Sequence, residues 1–260
     1  PDTAHDAAAE AKRETLLTVH EVAGEFFRAR LADPIGRPAR EHLDARDLTN
    51  ETSERLGLGF APPTRDGLLK HLRAKGYSDA VLLASGLATA RAGQPLADRF
   101  RTRLVLPIVR DTGSVIAFGA RALRPDQQPK YLNSPETPVF HKGRALYGLH
   151  EARHVSAKEG HPNIALVVEG YLDVASLSQH GIVPALATLG TATTTDHIRR
   201  LTRIADCIIF CFDGDRAGRA AAWKALKTAL PHAGDQLEIK FLILPEGEDP
   251  DSLVRARGAN

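Results

Sequence analysis

The sequence predicts an α/β fold in two parts: a mixed α+β N-terminal half, then a parallel sheet with helices on its faces. Three observations carry this. Apolar residues Leu16, Val19, Val22, Phe26 and Phe27 recur at helical spacing. The period then changes, because 103–110 and 114–121 are rich in strand-forming residues and flank Asp111-Thr112-Gly113, a hairpin signal. Finally, the apolar runs 164–168, 183–187, 207–212 and 237–244 alternate with helical stretches, which implies crossovers and a parallel sheet.

Taken in order, residues 1–13 are polar and Ala-rich and read as a frayed or linker-like start. Helical composition runs from about 14 to 90, punctuated by Pro34 and by Ala61-Pro62-Pro63; 67–75 is a helix closed by Gly76. Residues 125–142 hold four prolines (Pro125, Pro129, Pro135 and Pro138) and read as a long loop of the kind that usually has a function. Three helices follow between the late strands: 171–180 ending at Gly181, 194–204 with Thr193, Thr194 and Thr195 as possible caps, and 217–230 stopped by Pro231. The expected division is a linker at 1–13, a basic mixed subdomain at 14–160, an acidic parallel-sheet subdomain at 161–247, and the start of a helical segment at 248–260.

Composition sets limits. The 260 residues are 43% hydrophobic and 25% charged, an ordinary globular balance. No apolar run approaches the ~20 residues of a membrane span, and no secretory signal opens the chain. Cys207 and Cys211 lie in one apolar run, which points to buried thiols in a reducing compartment; the CxxC pairs of a structural zinc site are missing. The chain begins at Pro1 and contains no methionine, so an internal piece of a longer protein is expected.

Ligands of open α/β sheets bind at the carboxyl ends of strands. Carboxylates cluster there: Glu169 and Asp173 after the first late strand, Asp213 and Asp215 after the third, and Glu246, Glu248, Asp249 and Asp251 after the fourth. Acids brought together repel unless protonated or bound to a cation, and hard oxygens suit Mg²⁺. Such a site matches phosphoryl transfer, which needs positioning and charge neutralisation. Any one of these acids taken alone is equally well a turn residue or a helix cap, as Asp213 and Asp215 would be ahead of Ala217.

The formal charge of +2 hides an asymmetry. Residues 99–144 hold nine Lys and Arg against three acids, a local +6, while 165–251 hold twelve acids against eight basic residues, a local −4. A polyanion held by the first segment beside metals held by the second accounts for both signs. Arg101 and Arg103 alternate with their neighbours and are expected on one strand face. Single residues such as Arg110 or Arg124 read as solvated surface, and His141 as a hydrogen-bonded loop residue. The stretch Leu189-Gly190-Thr191-Ala192 fits either a backbone nest for phosphate or a plain strand-to-helix turn.

The motif Glu169-Gly170-Tyr171-Leu172-Asp173-Val174 with Asp213-Gly214-Asp215 resembles the Toprim domain of primases, topoisomerases and some nucleases. Lys130 to Thr137, Phe140 to Leu149, Asp213 to Ala221, Gly59 to Pro62, Arg99 to Arg103 and Gly119 to Arg121 narrow the resemblance to bacterial DnaG-type primases over residues 16–255. It implies a Rossmann-like Toprim sheet and a magnesium-dependent nucleotidyltransferase that makes RNA primers on single-stranded DNA. Glu169, Asp213 and Asp215 would be catalytic and bind Mg²⁺, with Mn²⁺ able to substitute; Asp173, Asp249 and Asp251 would be further metal ligands. Template, RNA primer and ribonucleoside triphosphates would be held by Arg46, Arg101, Arg103, Arg121, Lys130, Asn133 and Lys142. The family's N-terminal zinc module and the C-terminal module that docks the replicative helicase are not in this sequence, so no zinc is expected. A cytoplasmic monomer is implied. Gly119-Ala120 departs mildly from the two glycines expected there. A Toprim-type DNA-cleaving enzyme and a non-catalytic nucleic-acid-binding module are the competing expectations.

Overall fold

The structure is a computed structural model and describes residues 3–159, 164–182, 184–234 and 237–259. The chain divides into two compact units. One comprises 1–108 and 114–141; the other comprises 109–113 and 142–260. The division falls at His141/Lys142, ahead of the 160/161 boundary expected from the sequence.

In the first unit, α1 (Thr3–Ala32) is a single long helix. It covers the stretch expected to fray, because Ala, Glu and Lys are strong helix formers even without an apolar stripe. Its buried stripe is Leu16, Val19, His20, Ala23 and Phe27. A short 3₁₀ turn leads to α2 (Arg37–Asp44) and α3 (Asn50–Arg55), the latter capped by Thr49, whose side chain accepts from the Thr52 N–H. Next come β1 (Gly59–Ala61), α4 (Gly67–Ala74), α5 (Asp79–Ala84), β2 (Ala88–Arg91) and β3 (Gln94–Asp98). Gly76, at φ 89°, follows α4 as expected. The strands β4 (Arg103–Val109), β5 (Val115–Ala122) and β6 (Tyr131–Asn133) join β1 in a sheet of order β1-β4-β5-β6. The Pro-rich stretch is thus not all loop: 131–133 pairs antiparallel with Gly119–Arg121. Helix α1 packs against this sheet, and Phe27 meets Phe118 edge-on at 5.3 Å between ring centroids. Close packing dictates Gly59, where a Cβ would lie 2.5 Å from that of Phe27.

The second unit is the parallel sheet. It contains β7 (Leu146–Tyr147), α6 (Leu149–Glu159), β8 (Ile164–Val168), α7 (Tyr171–Gln179), β9 (Ala185–Thr188) and α8 (Thr195–Leu201). After these come β10 (Cys207–Phe212), α9 (Arg216–Ala229), β11 (Glu238–Ile243) and α10 (Pro250–Arg257). Strand order is β11-β10-β8-β9-β7. The first four are mutually parallel, and β7 is antiparallel to β9. Val183, the expected start of the second strand, lies outside the described residues. The core includes Leu146, Val167, Leu186, Ile198, Ile208 and Phe210. This arrangement puts the carboxyl ends of β8, β10 and β11 on neighbouring strands, so the turns that follow them share one sheet edge.

Candidate functional site

The acidic site is built from three strand-to-helix turns of the second unit. After β8, Glu169 precedes Gly170, the N-cap of α7, and Asp173 reaches back to accept the Gly170 N–H at 3.0 Å. After β10, Asp213 precedes Gly214, and Asp215 caps α9 by accepting the Gly218 N–H at 2.7 Å. After β11, Asp249 caps α10 by accepting the Ser252 N–H at 2.7 Å. Two glycines allow the close approach: a Cβ on Gly214 would sit 2.1 Å from the Pro245 carbonyl oxygen, and one on Gly218 would sit 2.2 Å from that of Asp213. The cap role expected of an isolated acid is therefore real for Asp215, and Asp249 plays the same role for α10.

Electrostatics record that proximity. Burial raises the Glu169 pKa, and the charges of Asp213 and Asp215 raise it further. Asp173 is pushed up to about 7, first by burial and then by Asp249, Asp213 and Asp251. The Cys211 thiol behind them goes up to about 12 for the same two reasons, burial and then the charges of Asp173, Asp213 and Glu169. Each acid disfavours ionisation of its neighbours, which is the condition a cation relieves. Glu169 Oε1 is buried and makes no hydrogen bond. Hard carboxylate oxygens, one of them buried and unsatisfied, fit a divalent cation. Among the described residues, no three His, Cys, Asp or Glu side chains already stand in ligating positions. Asp251, whose charge acts on Asp173, is 2% exposed and pairs with Arg255 at 3.1 Å on α10.

The basic residues fall mostly in the first unit, and their surroundings set them apart from one another. Arg101 is exposed. Arg103 is 4% exposed, and its guanidinium donates to the carbonyls of Pro129 at 2.8 Å and Gln128 at 3.3 Å. The two do not share a strand face. Strand β4 begins at Arg103, and Thr102 has φ 53°, a left-handed conformation that breaks the alternation. Arg103 therefore anchors the Pro-rich loop.

Arg121 is half-buried on β5. It donates through Nε to His42 Nε2 at 3.0 Å and through Nη1 to the Tyr131 hydroxyl at 2.6 Å. Its guanidinium also lies over the Tyr131 ring, 5.1 Å from the centroid. Because an arginine Nε only donates, His42 Nε2 accepts, and that imidazole is neutral. Its pKa is lowered to about 4 by burial, then by Arg121 and Arg46, which places Arg46 in the same cluster. Lys130 is exposed, and Asn133 ends β6, where its carbonyl accepts from Arg99.

In the second unit, Lys142 is half-buried, and its carbonyl accepts from His197 Nε2 at 3.0 Å. The other His197 nitrogen accepts the Thr194 N–H, and the Thr194 hydroxyl donates to the Gly143 carbonyl. His42 and His197 are positioning residues that the sequence alone did not single out. The one available signal was His197 at the third position of a Thr-capped helix. His141 holds Glu136 at 2.9 Å, as its loop position suggested.

Comparison with known proteins agrees with these two halves. Residues 26–153 match the family described as DNA primase catalytic core, N-terminal domain, and residues 166–254 match the Toprim-like family. The DNA primase of Pseudomonas aeruginosa is 52% identical over 249 residues, covering 94% of this chain and 36% of the relative. That of Escherichia coli is 47% identical, covering 95% of this chain and 42% of the relative. The chain thus spans about two fifths of the length of these relatives. Among solved structures, a DNA primase domain from Pseudomonas aeruginosa superposes with a TM-score of 0.86 at 50% identity, covering 94% of this chain and 75% of that one. A DnaG primase catalytic domain bound to single-stranded DNA superposes at 0.87 with 46% identity, covering 96% and 79%. With half its residues identical to curated DNA primases across nearly its whole length, and both halves matched separately, this chain belongs to the DNA primase family and carries its catalytic-core fold.

Proposed function

We propose that this chain performs template-directed synthesis of short RNA primers on single-stranded DNA, as a magnesium-dependent nucleotidyltransferase. The observation that carries the reading is the meeting of Glu169, Asp173, Asp213 and Asp215 at one sheet edge, each raising or feeling the charge of another. In this reading Glu169, Asp213 and Asp215 hold Mg²⁺, for which Mn²⁺ substitutes, and Asp173 and Asp249 adjust the charge around them. A bound divalent cation supplies activation of the primer 3′-hydroxyl and neutralisation at the reacting phosphates. Asp251 supports α10 through Arg255.

Arg46, Arg101, Arg121, Lys130, Asn133 and Lys142 bind phosphates of template, primer or incoming ribonucleoside triphosphate. His42 and Tyr131 fix the direction of Arg121, and Arg103 holds the loop that carries Lys130. Single-stranded DNA as the ligand is supported by the DnaG catalytic domain solved with it. We place the reaction in the bacterial cytoplasm and take the chain as a monomer. Helicase docking is assigned by the resemblance to a C-terminal module of the full-length relatives, and we assign it to no residue of this chain.

The decisive experiment is primer synthesis on single-stranded DNA with ribonucleoside triphosphates and Mg²⁺. Asp213→Ala is expected to abolish product, and EDTA to do the same to the unaltered chain. Primer synthesis that survives Asp213→Ala would sink the reading. Nicking of supercoiled DNA by the unaltered chain under the same conditions would instead favour the strand-cleaving alternative.

A further inference from the structure

Near its start, α6 carries the run His150-Glu151-Ala152-Arg153-His154. Histidines four residues apart fall on one helical face, and this is the spacing with which a helix holds Zn²⁺ in metalloproteases, where the intervening Glu is the general base. The two rings meet as the spacing requires, with centroids 4.4 Å apart and a tilt of 44° between them. His154 is exposed and His150 half-buried. Two imidazoles are a different donor set from the CxxC pairs whose lack argued against structural zinc.

His150 is also oriented from behind. The turn 111–113 lies against its ring, so that a Cβ on Gly113 would sit 3.2 Å from Cε1. Its Nδ1 is 3.4 Å from the Asp111 carbonyl oxygen, a long hydrogen bond. A carbonyl only accepts, so Nδ1 carries the proton and Nε2 keeps the lone pair. Metal-binding histidines are oriented in this way, one ring nitrogen donating to a carbonyl or carboxylate and the other facing the ion. The charges around the pair do not oppose a cation: Arg153 is offset by Asp111 at 3.2 Å, and Glu151 adds a carboxylate.

This place is not the acidic edge. Glu151 accepts from the Ser178 hydroxyl at 3.1 Å, close to the end of α7, and a Cβ on Gly148 would lie 2.7 Å from the carbonyl of Ala185, where β9 begins. The start of α6 therefore stands by the amino ends of the parallel strands, opposite Glu169, Asp213 and Asp215. Its bond to Ser178 commits Glu151 to α7 and takes it from the general-base role. Among the described residues, no third His, Cys, Asp or Glu completes the set, whereas hydrolytic zinc usually has three protein ligands.

We propose that His150 and His154 bind one divalent transition-metal ion, with water in its remaining positions, as a structural brace and not as a hydrolytic centre. Imidazole nitrogen selects Zn²⁺, Ni²⁺ or Cu²⁺ over the hard Mg²⁺ suited to the carboxylates, so the two sites take different metals. The ion joins two consecutive turns of α6 and fixes the ring on which the turn 111–113 rests. The inference stands apart from the primase reading.

The test is calorimetric titration of the untagged chain with Zn²⁺ in excess Mg²⁺, alongside thermal melts. His154→Ala, an exposed change to a better helix former, is expected to bind one Zn²⁺ fewer per chain than the unaltered protein and to melt no lower without metal. His150→Gln is expected to lose the same single ion. The double variant is also expected to bind one ion fewer and not two, because both rings serve one site. Added Zn²⁺ is expected to raise the melting temperature of the unaltered chain more than that of His154→Ala. The inference is overturned if His154→Ala takes up as much Zn²⁺ as the unaltered chain, if the double variant loses two ions, or if Zn²⁺ shifts both melts equally. Should His150→Gln fail to fold, the comparison with His154→Ala alone decides.

Discussion

Asp173 is the acid whose environment costs it most. Its pKa stands near 7 in the folded chain against 3.8 for an unhindered aspartate. The folded chain therefore binds more protons than the unfolded chain between about pH 4 and 7, and this residue's contribution to stability falls as pH rises through that window. In EDTA, Asp173→Asn is expected to be more stable than the unaltered chain at pH 8 by on the order of 1–2 kcal/mol, with the difference gone near pH 4. Thermal melts at the two pH values check this; a difference that stays constant with pH would contradict it. The amide oxygen can still accept the Gly170 N–H, so the comparison isolates charge. Arg101 and Arg103 make a second contrast. Arg103→Ala leaves two carbonyls without their donor and is expected to cost about 2 kcal/mol in urea unfolding. Arg101→Ala is expected to leave stability within about 0.5 kcal/mol. It should weaken single-stranded DNA binding and reduce the slope of log K against log salt by about 0.7. Nothing local in the sequence separates these two arginines. The difference lies in the backbone of Thr102 and in a loop more than twenty residues away.

Among the elements, α4 shows what a linear reading cannot reach. Its cap comes from the end of β3, not from the preceding residue: both Asp98 oxygens accept N–H groups, from Leu68 and from Leu69, each at 3.0 Å. Asp98 is 3% exposed, and burial raises its pKa to about 6 despite those donors. Asp98→Ala is expected to lower stability by about 2–3 kcal/mol, and Asp98→Asn, which keeps one acceptor, by about half as much, measured by urea unfolding at pH 7.5. Equal stability of all three chains would show that the cap contributes nothing. Where signals are local, the elements were legible in the sequence: Thr194 at the start of α8, Gly76 after α4, Gly181 after α7 and the Asp111-Thr112-Gly113 turn all stand where they were expected. The start of α1 was not, because its Ala-rich stretch has helix-forming composition but no apolar periodicity. Nor was 131–133, where pairing with β5 and not local pattern makes a strand.

For the molecule as a whole, the two signs of charge follow the two units. The +6 stretch lies mostly in the first unit, and the acidic strand ends lie in the second. The acidic site was legible because parallel topology brings strand ends together whatever lies between them. The basic set was less legible because charge says nothing about which side chains are already committed, as Arg103 is to carbonyls and Arg121 is to His42 and Tyr131. One feature of the second unit gives it a chemical clock. Cys211 is buried in β10 behind the carboxylates, and its thiol is held at about 12, so almost none of it is thiolate at pH 8. Alkylation of Cys211 at that pH should proceed only through molecules in which the parallel sheet has opened. Its labelling rate, read by mass spectrometry of the peptide, then counts sheet openings, and added Mg²⁺ should slow it if the acids in front of it bind the ion.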